Sequence, residues 1–120
     1  MSQVMPVKPS PSADLEGWSP QSWQGRQALQ QPLYEDAARK YNTSLVRMEA
    51  GAHYPGHHHA AIEELFMLSG DLHVEDQVMR AGDYCRGDSG SIHGDTFSDS
   101  GCLFLMTASQ ENQIIENLVI

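Results

Sequence analysis

The stretch GHHHAAIEELFMLSG (56–70) sets three histidines in a row and then, past two alanines, a run in which Glu63, Leu65 and Met67 alternate with Glu64, Phe66 and Leu68. Side chains two apart on a strand point to the same face, so the run reads as a strand rather than a helix. The same rule applied to the histidines sends His57 and His59 to one side and His58 to the other. Ala60 and Ala61 are small enough for a tight reversal between the two segments. Glu63 then opens the second strand with a carboxylate on the face that Leu65 and Met67 share, while Glu64 faces the opposite way.

The pattern repeats outward from this stretch. SLVRMEAG, LHVED, VMRAGD, YCRGDSG, SIHGDTFSDSG, CLFLMTAS and IIENLVI are short half-alternating runs, most of them closed by glycine with aspartate or serine. Turn signals every eight to twelve residues or so are the spacing of an antiparallel sandwich or barrel, so the fold class is all-β. Gly70 in SGD (69–71) and Gly82 in AGD (81–83) are expected to supply the positive-φ positions of tight turns. The segment YEDAARKY (34–41) carries helix-forming residues, enough for two helical turns at most. Residues 1–16 hold Pro6, Pro9 and Pro11 among serines without periodicity, which predicts a disordered or loosely attached arm before a folded domain over 17–120.

A chain of 120 residues with 40% hydrophobic content is one ordinary domain, and at that length roughly two-thirds of the unfolded surface can be buried without staples. Seven basic against sixteen acidic residues leave a net charge of −9, which repels phosphate backbones and excludes nucleic acid as a partner. No apolar run approaches a signal peptide or a membrane span, so the expected location is the cytoplasm, with no membrane partner. Cys85 and Cys102 are too few for a disulfide framework and are expected to be reduced, mostly buried thiols. His73 follows the expected 69–71 turn and is placed on the surface.

His57 and His59 project together as a pincer, and Glu63 is positioned to bring a carboxylate beside them. His93 lies in a separate strand that begins SIHG. If that strand lies next to the first pair, His57, His59, Glu63 and His93 make a site of three nitrogens and one oxygen, suited to zinc, ferrous iron, nickel or manganese. Leu65 and Met67 then either line a pocket on the ligand face or simply fill the barrel core. His53 and Tyr54 either orient the first ligand or sit on a surface loop, and Arg86 either meets an anionic ligand or pairs with its neighbour Asp88. No serine or cysteine has the setting of a nucleophile, so no catalytic residue is assigned.

The spacing gives the resemblance. From Gly51 the chain reads glycine, five residues, His57, one residue, His59, three residues, Glu63, six residues, Gly70; from Gly82 it reads glycine, five residues, Asp88, one residue, Gly90, two residues, His93. These resemble the two signature motifs of the cupins, with Asp88 where most members have proline and Phe97 where many have asparagine. The phrases QPLYED (31–36), SLVRMEAGAHYPGHHHAAIEELFMLSG (44–70), AGDYCRGDSGSIHG (81–94) and SDSGCLFL (98–105) narrow it to the ChrR-type cupins, the C-terminal module of zinc-dependent anti-sigma factors and also stand-alone proteins. The resemblance implies a single-domain RmlC-like jelly-roll barrel with one divalent transition metal per chain, zinc or ferrous iron first and nickel or manganese after, held by His57, His59, Glu63 and His93. It implies a small-molecule ligand and a homodimer, in which IIENLVI adds a strand to this barrel or its neighbour's. Two functions follow: a metal-dependent enzyme of dioxygenase type acting on a small enolisable or aromatic molecule, or a metal-binding sensor module without catalysis. The residues before the barrel are too few for the anti-sigma factors' helical domain, so sigma-factor inhibition is not carried over.

Overall fold

The computed structural model describes residues 18–23, 26–54, 57–58, 61–94, 96–109 and 113–114. Twelve strands run in chain order: β1 (Ser19–Trp23), β2 (Arg26–Asp36), β3 (Tyr41–Met48), β4 (His53–Tyr54), β5 (His57–His58), β6 (Glu63–Val74), β7 (Gln77–Arg80), β8 (Tyr84–Gly87), β9 (Ile92–His93), β10 (Thr96–Phe97), β11 (Cys102–Ser109) and β12 (Gln113–Ile114). Among the described residues there is no helix, and none long and apolar enough to cross a membrane. The arm expected over 1–16 lies outside the described residues.

All pairings are antiparallel. One sheet runs β1-β2-β3-β11-β6-β10-β4, with β7 and β8 on the second edge of β6, and a smaller sheet runs β12-β5-β9. The twelve-residue β6 organises the barrel. Its first half pairs with β11 and β8, and its second half with β10 and β7. The predicted alternation holds along it: Glu63, Leu65 and Met67 are buried while Glu64, Phe66 and Leu68 are exposed. On β11 the same period buries Cys102, Phe104, Met106 and Ala108. These inward residues meet Val46, Met48, Leu72 and Met79 in one core, where flexible methionines fill the irregular space between curved sheets.

Two local expectations fail. Residues 69–71 are not a turn. Gly70 lies inside β6 with φ +79°, paired with Cys102 just past the register shift that β6 makes against β11 between Met67 and Ser69, and a Cβ there would collide with the Gly101 carbonyl oxygen. Glycine is needed because another backbone passes where a side chain would be. The reversal comes later, at residues 75–76, between Val74 and its partner Gln77. YEDAARKY is likewise no helix: 34–36 finish β2, 37–40 turn, and Tyr41 pairs back with Asp36 in β3. Asp36 stabilises that turn by accepting the Arg39 backbone N–H at 3.2 Å and its guanidinium at 2.7 Å. Tertiary pairing on both edges outweighs a weak helix propensity. The AGD turn is as expected, with Gly82 at φ +90° and Asp83 Oδ2 accepting the Arg80 N–H at 2.8 Å. Pro32, in the interior strand β2, sits where that strand shifts register against β3, one of the few places a strand tolerates a residue without an N–H.

Candidate metal centre

The short strands β5 and β9 are neighbours, and their register sets His57 directly opposite His93 and His58 opposite Ile92. On the other edge of β5, Ile114 stands opposite His57. Two histidines far apart in sequence are thus brought to one rung of an antiparallel ladder. His59 lies outside the described residues.

Glu63, the first residue of β6, is 4% exposed. Its partner on β8 is Gly87, which brings no side chain to that face. Glu64 points outward, where its Oε2 accepts the Tyr84 hydroxyl at 2.8 Å. The adjacent glutamates therefore have different surroundings, one interior and one solvated. The Glu63 charge is felt by Cys85. Burial first, and this carboxylate second, push the Cys85 thiol up to about 11. Burial also pushes Cys102 up to about 11, and both cysteines are unbridged thiols, with little thiolate at neutral pH.

Leu65 and Met67 continue the Glu63 face and belong to the buried core, at 6% and 0% exposure. His53 is exposed on β4, opposite Phe97 of β10, and their rings are 5.7 Å apart. Tyr54 stands opposite Thr96. Arg86 is opposite Glu64, on the outward side of β8, and its Nε lies 3.1 Å from Asp88 Oδ1. A cleft of about 330 Å³ between β7 and β8 is bordered by Met79, Tyr84, Cys85 and Arg86.

A second cluster, missed in the sequence, lies beyond the Gly70 kink. Asp71 is buried and accepts hydrogen bonds from the Asp99 N–H and the Ser100 N–H, each at 2.9 Å, and from the Ser100 hydroxyl. The hydroxyl contributes most to holding the Asp71 carboxyl down to about 2, with the two N–H groups and His73 adding to it against the opposing effect of burial. His73, two positions on, is not the surface residue expected. Its side chain is only 24% exposed, its Nε2 lies 3.3 Å from Asp71 Oδ2 and 3.1 Å from Asp99 Oδ2, and its ring stacks on Phe97 at 4.3 Å and 8°. The ligand atoms of Asp71, His73 and Asp99 all lie within 4.8 Å of one another. The D-x-H spacing was the available signal, hidden by the supposed turn at Gly70.

Residues 16–112 match the family described as the ChrR Cupin-like domain. No curated protein sequence matches significantly. An acetylacetone dioxygenase from Acinetobacter johnsonii superposes with a TM-score of 0.80 at 20% identity, covering 100% of this chain and 87% of that one. An RmlC-like cupin protein from Ralstonia eutropha JMP134 superposes at 0.74 with 16% identity, covering 95% and 78%. A chain of the Rhodobacter sphaeroides complex of SigE with the anti-sigma ChrR superposes at 0.64 with 23% identity, covering 84% of this chain and 57% of that one. At such identities the likeness is one of fold.

Proposed function

The chain belongs to the ChrR cupin-like family, with an RmlC-like jelly-roll fold, and from that premise we propose that it is a metal-dependent enzyme of dioxygenase type acting on a small enolisable or aromatic molecule. His57, His59, Glu63 and His93 are the residues that would hold one divalent ion. The observation carrying this is the rung that sets His57 opposite His93, together with a glutamate brought inside the barrel while its neighbour Glu64 is left in water. The donor set fits: imidazole with one carboxylate suits zinc, ferrous iron, nickel or manganese and is poor for calcium or magnesium. When bound, such an ion supplies Lewis-acid polarisation and, as ferrous iron, redox chemistry with dioxygen.

The chain's own residues supply the rest. Three neutral imidazoles and one carboxylate leave a divalent site at +1, which favours an enolate, catecholate or carboxylate. Leu65 and Met67 form an apolar wall on the Glu63 face that keeps bulk water from such a ligand. Tyr54 and His53, just before the first ligand on the chain, orient the bound molecule, while Arg86, on the outward side of β8, keeps its pairing with Asp88. A second copy of the chain packs on the outer face, where Tyr84, Phe66 and Leu105 form a continuous row across three strands and Phe66 and Leu68 are more than 40% exposed. A cytoplasmic location is part of the same reading.

The test is elemental analysis of protein purified without chelator or affinity-column metal, followed by oxygen uptake on β-diketones, catechols and flavonols after anaerobic loading with ferrous iron. Stoichiometric iron with uptake on one substrate class is the expected result. Tightly held zinc with no uptake from the iron-loaded protein overturns the enzyme reading in favour of a metal-binding sensor, a reading supported by the family's namesake serving as an anti-sigma protein. Sedimentation of the protein and of Phe66→Glu tests the dimer, which the substitution is expected to dissociate.

A further inference from the structure

The cluster beyond the Gly70 kink carries an inference independent of the histidine motif. We propose that Asp71, His73 and Asp99 form a second divalent-cation site, selective for a zinc-class transition ion, at the junction of β6 and β10.

The two distances from His73 are those of a ligand set, and all three ligand atoms lie within 4.8 Å of one another. Ligand atoms about 2.0–2.2 Å from an ion stand roughly 3 to 3.5 Å from each other. His73 Nε2 is 3.3 Å from Asp71 Oδ2 and 3.1 Å from Asp99 Oδ2. A carboxylate offers about four acceptor positions. Asp71 uses two on Oδ1 for Ser100 and one on Oδ2 for the Asp99 N–H, which leaves one on the oxygen that faces His73.

The hydrogen-bond count also points to an ion. A neutral imidazole has at most one N–H at Nε2, and here two carboxylate oxygens converge on that atom. One proton serves one of them well, whereas an ion bound at Nε2 would serve both. The ring is held in place for this by the face of Phe97, and the backbone N–H groups of Asp99 and Ser100 fix the Asp71 carboxylate. Asp99, 73% exposed at its side chain, opens the site to solvent. Two carboxylates neutralise a divalent ion, and the imidazole selects against hard cations that prefer oxygen alone. The chain's −9 charge raises the local concentration of cations.

Equilibrium dialysis of the full chain against buffered zinc tests this, comparing His57→Ala/His59→Ala with the same variant carrying Asp99→Asn. The exposed Asp99 can be changed without disturbing the core. The double variant is expected to retain one zinc per chain, and the added Asp99→Asn to reduce it to none. Equal zinc in the two variants overturns the proposal. Should the double variant fail to fold, zinc titration of the unmodified chain, followed by the His73 ring signals in NMR, decides the matter: they shift in a saturable step if the site binds, and stay still if it does not. The cupin centre fails separately, when His57→Ala/His59→Ala leaves the zinc content of the unmodified chain unchanged.

Discussion

Strand β6 buries two carboxylates, one on each side of the kink at Gly70, and surrounds them differently. Asp71, in the second half, is 5% exposed, and the 98–101 turn closes on it with two N–H groups and a hydroxyl. Glu63, in the first half, is 4% exposed, stands opposite a glycine and imposes its charge on the Cys85 thiol. Equal burial thus accompanies unequal roles. A buried charge costs free energy unless the protein meets it with donors or a cation. Asp71 is met by two N–H groups and a hydroxyl and keeps one acceptor position turned toward His73, whereas Glu63 sits on the face assigned to the histidine centre.

The kink that separates the two halves is the first thing to break. Gly70→Ala forces a side chain against the Gly101 carbonyl at a φ of +79° and should cost about 3 kcal/mol or more, from strain plus overpacking. Thermal melting measures it, and a near-native melting temperature would mean that β6 is not pinned there. Next comes Asp71→Asn, which turns a charged acceptor into an amide facing two N–H groups. It should cost about 2 kcal/mol, read from denaturant unfolding at pH 7.

The pH dependence of Asp71 has a definite sign. Its folded carboxyl titrates at about 2, below the ordinary 3.8, so its contribution is complete above pH 4 and is lost as pH falls toward 2. Acid titration of stability should show this loss in the native chain and a shallower loss in Asp71→Asn.

Glu63→Gln removes a ligand while keeping the shape. A drop of about tenfold or more in metal affinity is expected, about 1.4 kcal/mol, together with a downward move of the Cys85 thiol, read by the pH dependence of its alkylation. Unchanged metal affinity would remove Glu63 from the ligand set. The smallest effect belongs to Glu64→Gln: only an exposed bond to Tyr84 is altered, and melting should change by less than about 0.5 kcal/mol. If the two glutamine variants behaved alike, the contrast between interior and exterior would carry no functional weight.

How much of this was legible follows from the range over which each feature is encoded. Glu63 inward and Glu64 outward, the all-β class and the glycine turn at residue 82 could be read directly, because a period of two and a turn's φ requirement are properties of adjacent residues. The spacing of His57, His59, Glu63 and His93 was equally readable. The rung joining His57 to His93 was not, since it needs two distant strands in a particular register.

The misread segments share one cause. Gly70 was expected in a turn because its neighbours Ser69 and Asp71 are turn formers, yet its conformation answers to Gly101 on another strand. YEDAARKY has the composition of a helix, but β3 was waiting to pair with it. Asp71 and Asp99 are 28 positions apart, and nothing local in either announces the other. Sequence alone determined which residues of β6 face inward, the glycine turn at residue 82 and which residues have the chemistry to bind a metal, because nearest-neighbour sterics and the pleat decide those. Tertiary structure alone decided which strands became neighbours and where β6 bends. With that it decided that Asp71 meets donors 28 and 29 positions away, because long-range antiparallel pairing brings them together.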